Sequence, residues 1–213
     1  MRRLAIFCLG FLLILPSLAF GVSVTVNDRL QLHFDLPDQR WNLSLEAPDF
    51  LVEKAIADLE AELLGQGKNP GRAEIEAAAR RRLEANEAFV FNPLSKAHLL
   101  IDFSPLRQGE EPPSARTVAL SARYAGEGLE QEEGYREVKQ KSGKTTLAGA
   151  EAASRIDASY LRRGEPAVFV GIIGFASPCW FYLYYTDGLS DPSDLPEMEA
   201  ILRSMRISAD GAK

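Results

Sequence analysis

The chain has 213 residues, 24 basic and 30 acidic side chains, a net charge of −6 and 46% hydrophobic residues. An acidic chain without a basic stripe is a poor binder of nucleic acid or anionic membrane, because phosphate-rich surfaces repel it. Its length suits one domain that can bury a sizeable core without disulfide staples.

Residues 1–21 read as a secretory signal peptide. Arg2 and Arg3 form a positive start, 4–15 is an apolar stretch, Pro16 ends it, and Ser17, Ala19 and Gly21 are small. Cleavage after Ala19 and cleavage after Gly21 both fit. An uncleaved anchor is the rival reading, but a span needs roughly 20 apolar residues and this stretch is shorter. Cys8 lies inside the apolar core, away from the cleavage point, so the pattern is not that of a lipoprotein. The next most apolar segment, 167–185, is broken by Gly171, Gly174 and Pro178 and suits strands. No membrane span is therefore expected after cleavage. Cleavage also removes Cys8, Arg2 and Arg3, leaving Cys179 as the one thiol and 22 basic against 30 acidic side chains. Cys179 stands between Pro178 and Trp180 in an apolar strand, so burial is expected.

One domain is predicted over 22–208, with a frayed tail at 209–213. Apolar and polar residues alternate over 22–26 and 30–36, with Asn27-Asp28 between them, which predicts a hairpin. Residues 36–41 form a turn, and Trp41, Leu43 and Leu45 alternate as a further strand. Two helices follow. Val52, Ala55, Ile56, Leu59 and Leu63 mark one face of 50–64, and Ile75, Ala79, Leu83, Asn86 and Val90 one face of 72–90. The short Gly-rich link 65–71 makes 50–90 a helical hairpin. Residues 97–103 read as a buried strand and 108–114 as a loop. Residues 117–125 fit period two and a helix equally well. Strands at 135–141 and 145–147 flank a Ser142-Gly143 turn.

An antiparallel meander is predicted from 152–160, 167–175 and 179–186, because the separators are short. Trp180, Tyr182 and Tyr184 face one way, and Phe181, Leu183 and Tyr185 the other. A sheet apolar on both faces needs cover on both, since each large side chain left wet forfeits about 1.5–3 kcal/mol. The last helix supplies one cover. Asp194-Leu195-Pro196-Glu197 matches a capping box, and Met198, Ile201, Leu202 and Met205 make its apolar face.

Three of these pieces together resemble the PsbP-like superfamily, which takes its name from an extrinsic subunit of photosystem II and includes a Ran-binding Mog-type protein. They are the hairpin ending in Leu36-Pro37-Asp38-Gln39-Arg40-Trp41, the antiparallel run to Trp180-Phe181-Tyr182-Leu183-Tyr184-Tyr185, and the closing Ile201-Leu202-Arg203-Ser204-Met205-Arg206-Ile207. The resemblance implies an α+β fold: an α/β/α sandwich with a central antiparallel sheet, a helical hairpin and a C-terminal helix. It also implies a helix at 117–125 and an accessory or binding role without catalysis.

No catalytic, cofactor or metal motif is complete. His33 and His98 stand far apart, with no Cys or carboxylate at ligand spacing around either. Ser142-Gly143-Lys144-Thr145 matches the end of a phosphate-binding loop, but Val138 occupies the position of the earlier glycine. The reading is an exported, non-catalytic accessory or binding protein of the cell envelope, periplasmic or secreted, whose partner is an envelope protein or a small apolar ligand. The alternative is an exported hydrolase or a thiol enzyme using Cys179 with His98 or His33. Loop position and composition single out Trp41, Lys68 in the 65–71 link and Tyr135 after the 127–135 loop as candidate binding residues.

Overall fold

In the computed structural model, residues 20–26, 29–37, 39–132 and 134–209 are described. The 1–19 part of the signal-peptide reading, the Asn27-Asp28 corner and residues 210–213 lie outside them. The first hairpin forms where alternation demands it. β1 (Phe20–Val26) pairs antiparallel with β2 (Leu30–Leu36), Val24 opposite Leu32. Leu30, Leu32, Phe34 and Leu36 point into the core, while His33 and Asp35 lie on the other side. The next strand is shorter than expected. β3 (Asn42–Ser44) ends because the Ser44 hydroxyl turns the chain, donating to Glu46 O at 2.6 Å, and Leu45 is left exposed.

α1 (Asp49–Gly65) matches the first predicted helix. The second is cut short: α2 (Arg72–Leu83) stops, and β4 (Ala88–Phe91) follows where helix was expected to Val90. Asn86, which fits the helical face by spacing, closes the helix instead. Its Nδ2 donates to Leu83 O at 2.9 Å, satisfying a terminal carbonyl. After Glu87 come four apolar residues, and a strand buries them on both sides. Ala88 and Val90 enter the main core, and Phe89 and Phe91 pack against the hairpin.

β5 (His98–Pro105) begins the long central run, and α3 (Ala115–Gly128) answers the ambiguity at 117–125 as helix. Ser114 caps it by accepting from Thr117 N at 3.1 Å. A short 3-10 turn at Leu129–Gln131 leads into β6 (Tyr135–Thr145). Ser142-Gly143 is no turn: both residues stay in register with β7 (Ala152–Arg162), Ser142 opposite Ile156 and Gly143 opposite Arg155. β6 is an edge strand, where a glycine forfeits little packing. The reversal comes later, through Gly149 at φ +85°. β8 (Glu165–Ala176) and β9 (Cys179–Asp187) complete the meander. Pro166 is tolerated because β9 pairs with β8 only from Val168 onwards, so its missing N–H faces no neighbour.

The fold is α+β. Its seven-stranded antiparallel sheet runs β3-β4-β5-β9-β8-β7-β6. On the inner face sit α4 (Asp194–Ser204) and a second sheet, in which β10 (Arg206–Ala209) joins β2 beside β1. The strand to Ala209 extends past the predicted domain end at 208, because Ile207 enters the core and its N–H donates to Ala148 O at 2.8 Å. On the outer face, α1 and α2 cover β4 and β5, and α3 covers β6, β7 and β8. Among the described residues no helix is long and apolar enough to cross a membrane.

The expected capping box is absent from α4. The Asp194 carboxylate is fully buried, and its Oδ1 accepts from Arg40 at 3.0 Å and Asn92 at 2.8 Å rather than from the helix N-terminus. Arg40 also donates to Asp191 and Glu197, and Trp41 Nε1 to Glu197 at 2.8 Å. This cluster locks the segment before β3 onto the start of α4.

Candidate functional site

The two outer-face covers do not meet over β9. Phe181, Leu183 and Tyr185 on the inner face are fully buried, as expected. Trp180, Tyr182 and Tyr184 on the outer face are only half-buried, which corrects the expectation of full cover. Their rings run in a row, Trp180 to Tyr182 at 6.4 Å and Tyr182 to Tyr184 at 6.0 Å. Burial, followed by the nearby Asp102 carboxylate, raises the Tyr182 phenol above its usual range. Burial likewise raises Asp102, against the pull of its Ser104 hydrogen bond.

At the His98 end of this strip a cleft of about 610 Å³ opens beneath the hairpin. α1 contributes Lys54, Asp58 and Glu62, α2 contributes Arg82, and the turn after it contributes Asn86. The opposite wall is Tyr135 at the start of β6 and Arg162-Arg163 at the β7–β8 turn, with His98 and Leu100 of β5 between the walls. Local sequence places each group. Lys54 and Asp58 are one helical turn apart and pair at 2.9 Å. Arg163 takes φ +53° and Gly164 φ +88° in the tight turn, which holds both guanidinium groups at the rim. Tyr135 stacks on Tyr160 with centroids 4.3 Å apart.

Asp58 gathers three cations: Lys54 at 2.9 Å, Arg162 at 3.3 Å and Arg163 at 3.8 Å. The cluster therefore carries excess positive charge. His98 lies beside it, 8% exposed. Burial pushes the imidazole down to about 4, its bond to Lys96 opposes this, and the Lys54 and Arg162 charges push it lower. The ring is neutral near pH 7. Its Nδ1 sits 2.8 Å from Lys96 O. A carbonyl only accepts, so Nδ1 carries the proton and Nε2 is a bare acceptor.

The three residues singled out in the sequence do not converge. Tyr135 lines the cleft. Trp41 is a core residue, 3% exposed and tied to Glu197. Lys68 sits on the exposed α1–α2 link, its ammonium donating to Gln66 at 3.0 Å. Lys54, Asp58, Arg162 and Arg163 are not visible as a group in the sequence, because Asp58 and Arg162 stand 104 positions apart. Nor do the groups of the thiol alternative meet. Cys179 pairs with Pro105 and His98 with Thr186, at opposite ends of the β5–β9 ladder. Seven positions at about 3.3 Å each separate them, and Cys179 points inward with the core while His98 lines the outer cleft. His33 lies on the far side of the small sheet, its Nε2 2.9 Å from Ser208 Oγ.

No family model and no curated protein matches the chain. Solved structures do. Over 85% of its length the chain is similar to 94% of cyanobacterial PsbP from Synechocystis sp. PCC 6803, at 9% identity and a TM-score of 0.47. Over 90% of its length it is similar to 92% of LpqN, a protein involved in cell envelope biogenesis in Mycobacterium tuberculosis, at 15% identity and a TM-score of 0.48. Over 84% it is similar to 88% of PA94, a Pseudomonas aeruginosa protein of unknown function, at 16% identity and a TM-score of 0.33.

Proposed function

We propose that this chain is an exported, non-catalytic accessory protein of the cell envelope, of PsbP-like type, which works by binding in the outer-face cleft. The observation that carries the reading is the makeup of that cleft. Charged walls surround a buried neutral imidazole, and its described lining holds no Ser, Thr or Cys for His98 to activate. The Cys179 thiol sits in the core on the other side of the sheet. A binding cleft accounts for these positions better than a thiol enzyme does.

Export rests on the charge, apolar and small-residue pattern of 1–21. β1 starts at Phe20, so cleavage after Ala19 keeps all of its paired residues, whereas cleavage after Gly21 removes two. The experiment is to express the full chain in a bacterium and sequence the N-terminus of the protein released by osmotic shock. A start at Phe20 or Val22 supports the reading, and a membrane-bound chain retaining residues 1–21 overturns it. Thiol labelling of the folded protein decides the alternative: a Cys179 that reacts without denaturant reinstates the thiol enzyme.

A further inference from the structure

We propose that the cleft binds a hydroxylated organic anion, with its acidic group on Lys54, Arg162 and Arg163 and a hydroxyl donating to His98 Nε2. The inference rests on the binding reading above and names the ligand class for that same site.

Two independent features of the cleft each fit one half of this ligand. The first is charge. Asp58 is one carboxylate among three cations, and Lys54 has three N–H donors and each arginine five, so most donors are left for a ligand. Arg82, on the hairpin wall, has no ion-pair partner among the described residues. Guanidinium groups match the paired oxygens of a phosphate or carboxylate. The second feature is His98. Its ring is more than nine-tenths buried, its Nδ1–H is committed to Lys96 O, and Nε2 remains as the ring nitrogen left for the cleft. Nε2 is not among the buried atoms left without a partner, so it opens to the cleft, where a ligand hydroxyl can replace water as its donor. A bare anion such as sulfate has no proton to offer it, but a hydroxyl does. Glu62 and Glu132 on the rim can accept further hydroxyls and limit how much negative charge the ligand brings. A volume of about 610 Å³ suits a molecule of sugar-phosphate size. The charged walls disfavour a small apolar ligand.

Calorimetric titration of the full chain with glucose 6-phosphate tests this, with sulfate (charge without hydroxyl) and glucose (hydroxyl without charge) as comparators. Saturable binding of glucose 6-phosphate, with both comparators at least ten-fold weaker, is expected. The R162Q/R163Q double variant should lose at least ten-fold in affinity. The H98M variant should bring glucose 6-phosphate down to the sulfate level, with a cooperative thermal melt showing that the variant is folded. Vesicles of phosphatidylglycerol present the same chemistry on a lipid. Binding to them but not to the free sugar phosphate supports the ligand class with a headgroup as its source. Equal affinity for sulfate and glucose 6-phosphate overturns the inference, as does binding that survives R162Q/R163Q. Failure of both the free anion and the vesicles overturns it too. The wider binding reading fails separately, if the chain purified from the envelope retains neither a protein partner nor a ligand.

Discussion

Arg162, at the end of β7, reaches Asp58 on α1 at 3.3 Å, and this ion pair joins the helical hairpin to the far strands of the sheet. A double-mutant cycle of D58N and R162Q should return a coupling of about 0.5–1 kcal/mol at low salt, as for partly exposed pairs. The coupling should shrink in 1 M salt. Denaturant melts of the four proteins measure it.

His98 makes stability depend on pH. Its folded pKa, about 4, lies below the ordinary value of 6.5, so between these values the unfolded chain binds the extra proton. Its contribution is complete above pH 6.5 and is lost as pH falls towards 4, a total of about 3 kcal/mol by linkage. Melts of the native chain and H98M from pH 7 to 4 should show this loss in the native chain and not in the variant.

Gly149 should not tolerate a side chain. At φ +85° an added Cβ would sit 1.9 Å from the Ile207 carbonyl oxygen, where β10 crosses the loop. G149A combines a left-handed backbone with a backbone clash and should cost about 2 kcal/mol or more. Urea denaturation gives the value.

Arg40 balances the buried carboxylate of Asp194, which is fully enclosed and has one oxygen, Oδ2, without a hydrogen-bond partner among the described residues. R40M strips the guanidinium from that charge and should cost about 3 kcal/mol, as for other broken buried pairs. Thermal unfolding of R40M should therefore begin well below that of the native chain.

Clean alternation made the first hairpin legible, one apolar stripe made α1 legible, and short separators between apolar runs made the meander legible. Pattern failed where a single residue decides. Asn86 fits a helical face and yet ends α2 with its side chain, and Gly143 looks like a turn yet lies in an edge strand. The half-open outer stripe was also hidden. Pattern shows that Trp180, Tyr182 and Tyr184 share a face, but only the lateral placement of α3 and the hairpin shows that neither covers β9 completely. The cleft was illegible for a related reason. It is assembled from α1, α2, β5, β6 and the β7–β8 turn, and in the sequence only Tyr135 of its charged or aromatic residues drew attention as a binding residue.

Ligand recognition turns on a neutral His98 whose Nε2 faces the cleft beside three cations. Nitrogen-15 NMR of the imidazole at pH 7, before and after addition of glucose 6-phosphate, examines that atom directly. A proton on Nδ1, an unprotonated Nε2 in the free protein, and an Nε2 resonance that shifts as the ligand hydroxyl replaces water are expected. A protonated Nε2, or one that the ligand leaves unmoved, would contradict this mode of recognition.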